Sequence, residues 1–210
     1  MNKTLFHSLA VLTAFVSGGW LPSTVRAQNF TQSITLQPGW NAIWLEVQPE
    51  DNRCNVVFSN LPIASVWTRL ERLSYVEFIQ NPSEAAFNEA GWQHWVPPNR
   101  EAAFLNNLFA VQANDAYLIQ CTNASPVNWN LVGRPSLRKP EWVPDSFNLR
   151  GLPVDPATPP SFLNFLRHSA AHFDSSTSQL RPVYRLNSAS GQWEQVSSSD
   201  TVQSGAAYWI

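Results

Sequence analysis

The chain has 210 residues, a formal net charge of −2, and 13% charged residues against 12% aromatic ones. That balance is too acidic for a binder of the nucleic-acid backbone, which needs clustered Lys and Arg. Sixteen prolines argue against long helices. Ten tryptophans in a chain this size serve either as core fillers or as platforms for sugar rings.

Residues 1–27 have the tripartite pattern of an export signal. Lys3 supplies the positive start, residues 5–21 are mostly apolar, and Val25-Arg26-Ala27 suits cleavage before Gln28. Removing Lys3 and Arg26 makes the remainder more acidic. The apolar run is broken by His7, Ser8, Ser17, Gly18 and Gly19, which is poor for a membrane anchor. No later segment is apolar enough to span a bilayer.

Residues 34–36 and 40–47 alternate as strands on either side of Gln37-Pro38-Gly39. Residues 55–60 suit a helical turn. Residues 64–69 and 75–80 are expected to form a hairpin. A helical turn is expected at 82–88, an aromatic strand or loop at 92–97, and weak helix at 101–107. Residues 108–112 and 116–120 flank a turn at Ala113-Asn114-Asp115, and 127–132 closes this stretch. Residues 135–144 read as a Pro-rich linker. Residues 159–168 are helical, with Phe162, Phe165 and Leu166 spaced for one face. A Ser-rich loop, expected to be mobile, covers 170–179. Strands follow at 183–186, 192–196 and 206–210.

The chain repeats itself. Trp40-Asn41 through Leu45-Glu46-Val47-Gln48-Pro49 returns as Phe147-Asn148 through Leu152-Pro153-Val154-Asp155-Pro156. Val66-Trp67 returns as Val183-Tyr184, and Ala116-Tyr117-Leu118-Ile119 as Ala207-Tyr208-Trp209-Ile210. An internal period of this kind points to two copies of one structural unit. The expected organisation is a signal at 1–27, a first β-rich unit at 28–134, a linker at 135–144 and a second unit at 145–210. The fold class is mainly β with short helices, as sandwich- or barrel-like antiparallel sheets. In the first unit residues 127–132 follow the Ala-Tyr strand, whereas the second unit stops within its own. The second unit is therefore expected to be truncated, with residues 207–210 at a sheet edge or with their partner position filled by another segment.

Trp40, Asn41, Trp67, Tyr117, Phe147, Asn148, Tyr184 and Tyr208 are read as structural repeat positions. Exchange of one aromatic for another between copies fits a core role, and Trp67 and Tyr184 are expected at the apolar centre of each copy. Trp44, Trp92, Trp95 and Trp142 lack such partners and are candidate ligand platforms, with His94 between two of them. Cys54 and Cys121 either join as a disulfide, as an oxidising compartment would favour, or remain two buried thiols. His168 and His172 are four residues apart but lack the glutamate of a zinc-protease helix, so no metal is expected. No nucleophile elbow or phosphate loop occurs, and no cofactor is expected. Glu71, Glu77, Asp155 and Glu194 are scattered rather than paired.

The pattern Gly-Trp-Asn, Leu-Pro-Val-x-Pro, Val-Trp, Ala-Tyr-Trp-Ile resembles tandem Trp-rich segments of large exported proteins of environmental bacteria. It is carried here by Gly39, Trp40, Asn41, Val66, Trp67, Ala116 and Tyr117, and again by Asn148, residues 152–154, Pro156 and residues 207–210. Glu46 and Phe147 depart from the pattern. The resemblance implies no activity and no catalytic residues. The expected role is a non-catalytic extracellular structural or adhesion module, partnered by other domains of a longer chain or by cell-surface components. The alternatives are a carbohydrate-binding module that stacks polysaccharide on exposed Trp, and a secreted hydrolase with an unrecognised site.

Overall fold

The computed structural model describes residues 28–69, 91–136, 138 and 142–210. The signal reading at 1–27, the expected strand at 75–80 and the expected turn at 82–88 lie outside the described residues. The chain is mostly antiparallel β-sheet, and none of the sheets closes into a barrel. Among the described residues no helix is long and apolar enough to cross a membrane.

Three strands of the first unit form an outer sheet in the order β1 (Phe30–Leu36), β7 (Val127–Pro135), β3 (Val47–Pro49). β1 and β7 alternate, placing Ile34, Leu36, Trp129 and Leu131 inward. A four-stranded sheet runs in the order β2 (Gly39–Trp44), β6 (Ala116–Cys121), β4 (Ile63–Arg69), β5 (Trp92–Trp95). The described antiparallel partners of β4 are thus β5 and β6. Residues 108–112, which flank the turn at 113–115, do not pair with β6 across it. Their backbone instead holds the start of α1 (Cys54–Val57): the Cys54 N–H donates to the Phe109 carbonyl and the Val111 N–H to the Asn52 carbonyl.

The second unit has a four-stranded sheet in the order β8 (Leu149–Gly151), β13 (Ala207–Trp209), β11 (Tyr184–Asn187), β12 (Gln192–Gln195). This is the order of the first unit's four-stranded sheet, strand for strand. β13 is therefore interior, paired with β8 on one side and β11 on the other. Residues 207–209 therefore do not lie at a sheet edge, and the strand positions on both sides of them are filled. In the first unit the chain leaves β6 for the other sheet, so the strand that follows in sequence is not the lateral neighbour. α2 (Phe162–Leu166) is capped by the Ser161 side chain, which accepts from the Asn164 N–H. The Ser-rich stretch contains a small hairpin, β9 (Phe173–Asp174) with β10 (Gln179–Leu180).

Three apolar clusters alternate with these layers. The first lies between the outer sheet, α1 and one face of the first four-stranded sheet. The second lies between the two four-stranded sheets, and the third between the far face of the second sheet and α2. β6 shows why both faces are apolar: Tyr117 and Ile119 enter the first cluster, Ala116 and Leu118 the second. β13 does the same with Tyr208 facing the third cluster and Ala207 and Trp209 facing the second.

Candidate functional site

Six of the ten tryptophans (Trp40, Trp44, Trp67, Trp92, Trp193 and Trp209) lie in the cluster between the two four-stranded sheets. Trp209 is at its middle, edge-on to Trp193 at 6.0 Å and to Trp92 at 6.4 Å. The Arg69 guanidinium lies over Trp92 and Trp209, 5.7 and 5.8 Å from the ring centres. The layer is fitted by one small residue: a side-chain carbon on Gly151 would meet the Trp44 ring at 2.0 Å. Trp44 also donates its backbone N–H to the Gly205 carbonyl at 2.8 Å, joining the two units.

This arrangement moves most of the expected ligand residues inside. Trp44, Trp92, His94 and Trp95 are each at most 5% exposed. His94 packs against the Trp67 ring at 5.0 Å, and burial holds its imidazole below the ordinary pKa. Trp95 lies in the first unit's core, its indole N–H donating to Asn55 Oδ1 at 2.7 Å. Trp92 has a counterpart after all, because it and Trp193 face Arg69 and Leu186 in the same register. Only Trp142 of the proposed platforms is at the surface, 41% exposed, edge-on to His172 at 5.2 Å. Trp67 is buried as expected and Tyr184 is half-buried, but both belong to the layer between the units rather than to the centre of either one.

Cys54 and Cys121 are free buried thiols, so the disulfide alternative is not the one realised. Both sit in the first unit's apolar cluster as small hydrophobes. Burial pushes the Cys54 thiol up to about 12, far from a reactive thiolate. His168 Nε2 accepts from Arg167 Nε, and His172 shares a hydrogen bond with Ser169. Among the described residues no three His, Cys, Asp or Glu are grouped to hold a metal.

The repeated polar residues do local work that is matched in detail. Asn41 Oδ1 accepts from the Gln37 N–H, while its amide nitrogen donates to the Gln37 and Gly39 carbonyls. Asn148 makes the same three bonds to the Val143 N–H and to the Val143 and Ser146 carbonyls. The Tyr117 hydroxyl binds the backbone of Gln112, accepting at 2.7 Å, and Tyr208 binds Gln203 likewise at 2.8 Å. Both phenols are pushed upward by burial.

Sequence reasoning missed a charged junction between the units. Arg150, fully buried where the first unit has Ile43, donates to the Asn114 carbonyl at 3.0 Å. Asp115 beside it is paired with Arg138. Burial raises the Asp115 carboxyl, with Arg138 and Arg150 opposing. The available signal was an arginine within an otherwise apolar strand.

A shallow groove of about 660 Å³ runs between α1 and the outer sheet, lined by Val56, Leu61, Val132 and the polar side chains of Gln48, Asn130 and Arg134. Asp51 at its rim is held by Arg53 down to about 2. The groove can offer hydrogen bonds and weak charge complementarity to a solute. No protein-family model matches the chain, and no curated protein or solved structure does either.

Proposed function

We propose that the chain is a duplicated, non-catalytic structural module of an exported protein, in which the second copy is fused to the first through a shared aromatic layer. The observation that carries this reading is the use made of the tryptophans. Six residues of the type that could stack sugars are consumed between two sheets of identical strand order. The matched asparagines and tyrosines are consumed in fixing turns. Side chains of this kind stabilise a scaffold and leave few groups to act on a substrate. Export through residues 1–27, and partners among other domains or cell-surface components, belong to the same proposal.

The test has two arms. Expressed with its leader in a bacterial host, the protein should appear outside the cytoplasm with an N-terminus at Gln28. Retention inside the cell with residues 1–27 intact would refute export. The purified protein should neither bind nor cleave a panel of soluble and insoluble polysaccharides. Saturable binding that a Trp142→Ala variant loses would favour the carbohydrate-binding alternative.

A further inference from the structure

The two edges of β7 are covered unequally. β1 pairs with it over Val127–Gly133, whereas β3 pairs with it only over Gly133–Pro135. Among the described residues, 127–132 therefore have a strand on one side alone. β3 ends at Pro49, which has no N–H to donate, and the chain bends away at Glu50 and Asp51. The groove between α1 and the outer sheet opens along this uncovered edge, and every residue from Trp129 to Arg134 lines it. Side chains along a strand point alternately to its two faces. Trp129 and Leu131 are buried on one face, and Asn130 and Val132 are exposed on the other. What these consecutive residues share is the strand's edge, so this side of the groove is main chain. The opposite wall is the end of α1 and the turn after it, where Val56 is 44% exposed and Val57 and Leu61 are half-buried. At the end where β3 leaves, Asp51 is taken up by Arg53, and Glu50 is exposed.

We propose that this groove binds an extended segment of a partner polypeptide, which continues the β3–β7 ladder along 127–132, antiparallel to β7. This rests on reading the chain as a module and names the class of its partner. A strand edge is matched by main-chain donors and acceptors in extended form, a spacing that neither a sugar nor a lipid presents. The β3 register then sets the partner's side chains. Its first residue falls opposite Val132, on the outer face and beside Glu50, where Lys or Arg complements the carboxylate. Residues opposite Leu131 and Trp129 turn inward against the wall of Val57 and Leu61 and are apolar. The residue between them lies beside Asn130 on the exposed face and is polar. Main-chain pairing supplies affinity, and the alternating side chains with the leading cation supply selectivity.

The probe is a fluorescently labelled peptide, Lys-Val-Thr-Val-Thr-Val, titrated into the whole protein and followed by anisotropy. Saturable binding is expected, weakened about tenfold or more by Glu50→Lys or Val56→Lys in the protein. Both positions are exposed, and an unchanged melting temperature checks that the fold is kept. Two further peptides carry backbone N-methyl groups, one at odd and one at even positions. Only one set of N–H groups can face β7, so the two should differ in affinity by about tenfold or more. Hydrogen exchange should show new protection within 127–132 when peptide is added. The proposal is overturned by absence of saturable binding, by equal binding of the two N-methylated peptides, or by protection that falls outside β7 and α1. The module reading has its own tests in the N-terminus at Gln28 and the polysaccharide panel, so a failed titration beside those results rejects only the docking.

Discussion

Asn41 and Asn148 show how one side chain can set a turn before any sheet forms around it. Each buried amide satisfies three backbone groups within five residues of itself. Alanine would leave those groups unpaired in a protein interior, at a cost of about 1–3 kcal/mol. Both variants should lose stability by similar amounts in urea denaturation, and a Asn148→Ala protein as stable as its parent would remove the clamp from the account. This pair was legible in the sequence because its bonds are local. The placement of Trp44, Trp92 and Trp95 was not, because an aromatic in an alternating strand reads the same whether its face meets water or a second sheet. His94 gives a pH test at the same scale. Burial holds its imidazole below the ordinary pKa when folded, while in the unfolded chain it takes up a proton near pH 6.5. Stability from this group is full above that value and declines as pH falls below it. His172, lowered by burial and then by Arg181, acts in the same direction. Asp115, raised by burial, acts in the opposite direction and gains stability as pH falls through its raised value. Replacing His94 with Gln, the residue the second unit has at that register in Gln195, should therefore make stability fall less than in the parent between pH 7.5 and 5.5. An unchanged difference in melting temperature between those two conditions would show that His94 does not contribute.

Strands with two apolar faces explain what the elements do. β6 and β13 each feed two clusters, so most of their side chains are apolar or aromatic on both faces. β8 places Leu149 in the shared layer, and its Gly151 leaves room for Trp44. Gly151→Ala places a carbon inside the Trp44 ring contact and should destabilise by about 1–3 kcal/mol through overpacking. Shortening Trp44 to Leu in the same chain should recover part of that loss, and a double-mutant cycle with no coupling would separate the two residues. Alternation at 34–36 and 40–47 marked β1 and β2, and a strand was expected at 64–69, where β4 lies. The lateral position of β13 was not legible, because strand order is decided by where the chain crosses between sheets, and no local pattern encodes that crossing. The stretch at 108–112 failed for a related reason: its apolar residues pack on the start of α1 rather than pairing as a hairpin.

At the scale of the molecule, two stretches that sequence reading separates by a linker share their central layer. The expected division falls at residues 135–144, but apolar burial runs across it. Trp44, Trp67 and Trp92 from the first unit pack with Trp193 and Trp209 from the second. Each large aromatic removes about 150–250 Å² from water, so separating the units would expose a layer too apolar to be solvated cheaply. The junction is further tied by Trp44 to Gly205, by Arg150 to Asn114 and by Ser204 to Glu46. Both units should therefore unfold in one transition. Trp209→Ala removes the ring that meets both Trp92 and Trp193, and a cavity of that kind costs about 3–5 kcal/mol. The measurement is hydrogen exchange through a urea titration, following amides of β6 in the first unit and β11 in the second. In the parent the two sets should lose protection together, and in the variant they should still coincide at a lower midpoint. First-unit amides that keep the parental midpoint while second-unit amides open early would mean that the aromatic layer joins two independent domains instead of making one.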